Sequence, residues 1–181
     1  MRVMSERSLR PRTLSAARVT VTALTLALAI LSATPLRAAQ PDPDVDAVLD
    51  VVDRFMRAIS TNDVAALTSL TIEGTTTTVE SPNPEGGTRL TRRTLEPQRY
   101  AKGAFREQYW DPMVHVRRRL AVVWTPYEFW LNGKTSHCGI DVFQMVRQDD
   151  GWRIAHIMWT VEPDACPALR PADAARVRPT L

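Results

Sequence analysis

A carboxylate, two imidazoles and several large rings fall on the apolar stretches between Leu120 and Glu162, and their spacing decides whether they meet. Leu120 to Leu131 and Thr135 to Arg147 flank Asn132-Gly133, the pair best suited to a two-residue hairpin turn because both positions need positive φ. Such a turn pairs Leu131 with Lys134, Phe129 with Ser136 and Trp124 with Asp141. With side chains alternating in direction along each strand, one face collects Val122, Trp124, Glu128, His137, Asp141, Phe143 and Met145. The other collects Val123, Thr125, Tyr127, Phe129, Ser136, Cys138, Ile140, Val142 and Val146. The first face turns from apolar to polar at Asp141, His137 and Glu128. A carboxylate set among Trp and Phe has its pKa raised, because burial disfavours the charged form, and that tunes an acid or base towards neutral pH. Asp141 and His137 are therefore the candidates for proton transfer. Trp124, Glu128, His137, Asp141, Phe143, His156 and Trp159 are the candidate ligand-pocket residues.

Each has a plainer reading. His137 is close enough to the hairpin end to face solvent, and Asp141 can serve as a structural hydrogen-bond acceptor. His156 joins the Asp141 face if Asp150-Gly151 is a two-residue turn, and the opposite face if the turn has three residues. Trp159 fits a core or rim position as well as a ligand contact. The residues thus leave open whether the pocket is catalytic. Other chemistries find little support: the seven glycines form no phosphate-cradling motif and no Cys/His spacing suits zinc, so neither cofactor nor metal is expected. Ser136 directly precedes His137, and adjacent strand residues point to opposite faces, which argues against a nucleophile–base pair.

These strands belong to one small domain. Residues 1–38 read as an export signal: five arginines by position 18, then the uncharged run VTVTALTLALAIL, then small residues up to Ala38. Thirteen apolar residues rise only about 20 Å as a helix, short of a roughly 30 Å hydrocarbon core, so the membrane is met only during export. Residues 1–38 hold 6 of the 23 basic and 1 of the 20 acidic residues, leaving 17 and 19, a net of −2. The pI near 9.2 belongs largely to the signal and is no argument for a nucleic-acid partner. A periplasmic or secreted location makes a Cys138–Cys166 disulfide the expected state of the two cysteines.

The domain is expected over residues 39–166, with an irregular tail over 167–181. Val45, Val48, Leu49, Val52, Phe55, Met56 and Ile59 recur at helical spacing, with Asp42-Pro43 as the start signal. Asp63 caps a shorter helix through Leu67 and Leu70. GTTTTVE (74–80) reads as a strand, SPNPEGG (81–87) as a loop, and Glu96 to Lys102 as a short third helix. From Phe105 onward the pattern is an antiparallel meander, making the class α+β.

That order carries a resemblance. VLDVVDRFMRAISTNDVAALTSL resembles the opening helix, connecting Asp and second helix of the nuclear-transport-factor-2-like (NTF2-like) superfamily. HCGIDVFQMVRQDDGWRIAHIMWTVE is similar to the last hairpin of its SnoaL-like members, and together the likeness covers residues 43–162. The resemblance implies a curved antiparallel sheet wrapped around three N-terminal helices, forming a cone whose open end holds a pocket. It implies no single activity, since relatives include isomerases, dehydratases, cyclases and carrier-like domains. A small-molecule ligand is the expected partner. The second apolar sheet face implies a homodimer.

Overall fold

The computed structural model describes residues 43–179, so the export signal and Asp42 lie outside the described residues. The first helix, α1 (Pro43–Thr61), begins on the proline and carries Asp44 and Asp46 in its first turn, where carboxylates complement the exposed N–H groups. Its apolar stripe is buried: Val48, Val52 and Met56 have no accessible surface. Asn62, at φ 58°, ends the helix, and the Asp63 carboxylate accepts from Ala66 N–H at 2.9 Å to start α2 (Val64–Ser69). Both helices follow the sequence pattern. The expected third helix does not form. Pro97–Tyr100 makes a single 3-10 turn instead, hemmed in by Pro97 in front and by Gly103 and the strand from Phe105 behind.

Eight strands form one sheet: β1 (Thr71–Pro82), β2 (Thr88–Thr94), β3 (Phe105–Trp110), β4 (Met113–Arg117), β5 (Leu120–Leu131), β6 (Lys134–Gln148), β7 (Gly151–Thr160) and β8 (Val177–Arg178). The order across the sheet is β2-β1-β7-β6-β5-β3-β8, with β4 hairpinned onto the far part of β5. The sheet is mixed rather than wholly antiparallel. β1 runs parallel to β7, its partner in the sheet at the end of the meander. β2, absent from the sequence reading, zips antiparallel onto β1 as an exposed edge ribbon of arginines and threonines. Its polar TRLTRRT offers no apolar alternation to reveal it.

The helices fill the concave face. Phe55 of α1 meets Phe143 of β6 edge-on, ring centroids 6.0 Å apart, a favoured aromatic geometry. Tyr109 of β3, fully buried, donates to Asp53 of α1 at 2.7 Å, and Arg178 of β8 reaches the same carboxylate at 2.6 Å. One aspartate thereby ties helix, sheet and tail together.

The tail after Cys166 is more regular than its composition suggests. A short α3 (Cys166–Leu169) and a 3-10 turn (Ala174–Arg176) lead to β8, which pairs with Tyr109 and Trp110 of β3. Trp110 Nε1 donates to Leu169 O at 2.7 Å, and Gln108 Nε2 to Pro179 O at 2.9 Å. The Cys138–Cys166 disulfide anchors this segment as expected, closing a loop with a sequence separation of 28. In the chain-entropy account that closure contributes about 3–4 kcal/mol.

Two details of register matter for the site. The Asn132-Gly133 turn forms, with Leu131 opposite Lys134, but Ser136 is then an extra residue on β6. Beyond this bulge Phe129 faces His137 and Thr125 faces Asp141, one position away from the expected pairing. Gly139 is the second. A Cβ there would lie 2.1 Å from Thr160 O and 2.9 Å from the Tyr127 ring, which crosses β6 so that its hydroxyl donates to Thr160 O at 2.8 Å. Backbone cannot yield to that contact as a side chain could. Gly139→Ala is expected to cost about 2–3 kcal/mol in urea unfolding, and an unchanged midpoint would show that the Thr160 backbone can shift to make room.

Candidate functional site

Between α1 and the concave sheet face lies a cavity of about 200 Å³. α1 contributes Phe55 and Ile59, the 3-10 turn Tyr100, β1 Thr77 and β3 Glu107. β5 adds Tyr127 and Phe129, β6 adds His137, Asp141 and Phe143, and β7 adds Ile157 and Trp159. The strand residues alternate along each chain, as they must to share one face. The walls are mostly rings and aliphatic groups, and the polar lining is concentrated in two carboxyls.

Those carboxyls, Glu107 and Asp141, lie within hydrogen-bonding reach of each other. Asp141 is only 2% exposed, and its Oδ2 has no donor from the rest of the protein. Two carboxylates cannot bond to each other without a proton between them, so burial and close approach favour a pair that holds a proton. Burial pushes Glu107 up to about 8, and burial together with the neighbouring Glu107 charge holds Asp141 well above the usual carboxylate range. Among the described residues, the shifts of the two carboxyls come from burial and from each other, not from an arginine or lysine. The same pair influences its surroundings. Tyr100 is pushed up to about 12, chiefly by burial and then by Glu107, and Tyr127 is raised by burial and then by Asp141.

His137 lies at the mouth side of this wall. Its ring packs 5.4 Å from Phe129 and, edge-on, 5.7 Å from Tyr127, and burial lowers its pKa, favouring the neutral form. The bulge also brings Ser136 Oγ to 3.0 Å from His137 Nδ1, so the opposite-face argument fails at this one place. Ser136 is exposed and outside the cavity lining.

Of the seven residues proposed from the sequence, His137, Asp141, Phe143 and Trp159 line the cavity. Trp124, Glu128 and His156 do not. The Ser136 bulge moves β5 by one position relative to β6, which turns Trp124 and Glu128 to the outer face and brings Tyr127 and Phe129 inward. On β7 the turn residues are Asp149-Asp150, with Gln148 opposite Gly151, and a second irregularity precedes Met145. His156 therefore pairs with Gln144 on the outer face, its Nδ1 2.8 Å from Thr76 Oγ1.

Glu128 has a structural post instead. Buried to 4% exposure, it takes a two-pronged contact from Arg170, with Nε at 2.7 Å, and a hydrogen bond from Thr135. Burial alone would raise its pKa, but the Arg170 and Thr135 hydrogen bonds outweigh it and hold Glu128 low. Glu128, Cys138 and Cys166 also bring potential ligand atoms within 4.8 Å of one another, but both sulfurs are committed to the disulfide.

Glu107 was not among the sequence candidates. Its signal is the alternation in FREQYW: Phe105, Glu107 and Tyr109 share a face, so a lone carboxylate stands between two inward rings.

No family model matches the sequence, and no curated protein matches it either. Solved structures do match in shape. A dehydratase proposed from the NTF2-like family of Streptomyces avermitilis superposes with a TM-score of 0.52 at 19% identity, covering 67% of this chain and 98% of the other. A proposed aromatic ring hydroxylase from Novosphingobium aromaticivorans gives 0.54 at 17% identity, with 67% and 91% covered. A protein of unknown function with a cystatin-like fold from Nostoc punctiforme gives 0.52 at 11%, with 67% and 92% covered. At such identities the likeness speaks for architecture alone, and the helices inside a curved sheet agree with it. The fold of this chain is the NTF2-like, cystatin-like cone.

Proposed function

We propose that this is an exported single-domain protein whose cone binds a small apolar or aromatic molecule. The observation that carries the reading is the cavity itself: about 200 Å³ of space walled by Phe55, Tyr127, Phe129, Phe143, Ile157 and Trp159 in an otherwise packed core. An apolar cavity of about 150 Å³ is already large enough to hold benzene, so the space suits a single-ring ligand. Export is supported by the basic-then-apolar start of the sequence and by the disulfide, and no described helix is long and apolar enough to cross a membrane. Single-ring compounds should raise the melting temperature of the purified protein in proportion to RT ln(1 + [L]/Kd). A panel that leaves the melting temperature unmoved at millimolar concentration would count against the pocket.

A second reading is acid–base catalysis, favoured by the proton-holding Glu107–Asp141 pair, with His137 at the edge of the same wall. In it, the protonated carboxyl donates to a ligand oxygen while the other accepts a proton, a division of labour that requires two carboxyls with separated pKa values. Turnover lost in Asp141→Asn at an unchanged melting temperature would support it over simple binding.

The outer sheet face supports a homodimer. Met113, Trp124, Val142 and Met158 are consecutive cross-strand neighbours there, and Met113, Trp124 and Met158 are 52%, 37% and 43% exposed. A continuous apolar row on a sheet face is a docking surface for another protein. Light scattering is expected to give twice the chain mass, and Trp124→Arg to give a folded monomer. A wild-type monomer at high micromolar concentration would end this reading.

A further inference from the structure

We infer that the ligand is a small organic ammonium, a single-ring primary amine whose nitrogen sits at Glu107 and Asp141 while its ring packs against Tyr127, Phe143 and Trp159. The inference rests on the reading of the cavity as a ligand pocket and goes further by naming the ligand's charge. It starts from a donor–acceptor imbalance. Two carboxyls present four oxygens, and Asp141 Oδ2 is fully buried without a donor from the rest of the protein. Two hydroxyls of the lining are directed elsewhere: Tyr127 hydroxyl to Thr160 O at 2.8 Å, Thr77 hydroxyl to Arg93 O at 3.4 Å. His137 Nδ1 is engaged with Ser136 Oγ at 3.0 Å.

Charge points the same way. The other ionisable groups around the pair are Tyr100, Tyr127 and the neutral His137, with Glu162 acting on Tyr127 from β7's end. Arg93 and Arg99 act on Tyr100, not on the carboxyls. An ammonium supplies three donors and the missing positive charge. Aromatic walls favour the same guest, since a desolvated cation beside Trp and Tyr rings gains cation–π attraction. An anionic ligand would meet repulsion from the pair.

The protonation balance makes the inference measurable. In the free protein Glu107, pushed up to about 8 by burial, is protonated at neutral pH beside the raised Asp141. When the amine binds as R–NH₃⁺, a proton leaves the pair for solvent, the nitrogen keeps its own three, and the complex holds carboxylate against ammonium. Affinity for an amine must then rise with pH, by up to about tenfold per unit below pH 8 for one released proton. Affinity for a neutral isostere has no such slope.

Calorimetry on the whole protein with benzylamine, benzyl alcohol and toluene, at pH 6 to 8.5 and in two buffers of different ionisation enthalpy, reads both quantities. Benzylamine is expected to bind at least about tenfold more tightly than benzyl alcohol at pH 8, with the slope above and about one proton released. Glu107→Gln should weaken both the slope and the preference, leaving the part that belongs to the buried Asp141. The wild-type slope decides the matter even if that variant does not fold. Benzyl alcohol or toluene binding as tightly as benzylamine, with no pH slope, would overturn the ammonium assignment and leave the apolar pocket standing. If none of the three binds, the pocket reading falls with it.

Discussion

Raising the pH from 5 to 8 is expected to destabilise this protein, and Glu107→Gln is expected to reduce that loss. The sign follows from the raised pKa values. In the unfolded chain Glu107 ionises near its ordinary 4.5, whereas in the folded protein burial holds it protonated up to about 8. Between those values the folded state binds more protons than the unfolded one, so stability is full below pH 4.5 and falls as pH rises to the folded value. Each pH unit of that window weakens folding by about 1.4 kcal/mol per retained proton, giving a total of several kcal/mol. Asp141 is shifted in the same direction by burial and by Glu107, and adds to the loss. Urea midpoints at pH 5, 6.5 and 8 measure this directly.

Other groups do not blur the window. Glu128 has its folded pKa lowered, so its contribution is lost only when pH falls through that low value. His137, lowered by burial, works in the opposite sense below its ordinary 6.5. In Glu107→Gln the loss with rising pH should therefore be smaller, and what remains belongs to the buried Asp141. Stability that climbs from pH 5 to 8 in the wild type would mean that the carboxyls are not holding a proton, and would remove the basis for both the catalytic and the ammonium readings.

Phe143→Ala carries the second large expectation, a loss of about 3–5 kcal/mol, the range for truncating a buried phenylalanine. Phe143 is 1% exposed and occupies the joint between α1 and the sheet, where its ring meets Phe55 edge-on. It is also a wall of the cavity, so truncation enlarges the ligand space. Two effects should separate. Unfolding in urea reports the loss of packing, while a two-ring ligand that fails to bind the wild type should bind and partly restore the variant's melting temperature. A variant with the wild-type midpoint would show that the helix is not held through this contact. A large stability loss with no gain for larger ligands would show that the space collapses when the ring is removed.

These effects differ in how far they could be foreseen. The helix stripe ending at Ile59, the Asn132-Gly133 turn and the Cys138–Cys166 pairing depend on spacing within a segment or on an even cysteine count, and all appear in the structure as the sequence implies. Asp141 as a carboxylate among rings was equally legible, since its neighbours along β6 alternate with it. Trp124, Glu128 and His156 were not. Their placement depended on counting residues across hairpins, and one unpaired residue at Ser136 is enough to turn a whole strand over.

The partnership at the centre of the site was least visible. Glu107 and Asp141 are 34 positions apart on strands that do not pair with each other, since β5 lies between β3 and β6. Local sequence determined that each carboxylate points inward among aromatic side chains. Only the curvature of the sheet, wrapping around α1, decided that the two point at each other. Pairing of the half-buried Glu107 with the buried Asp141 is a property of the closed cone, because the cost of burying one charge depends on where the other one ends up.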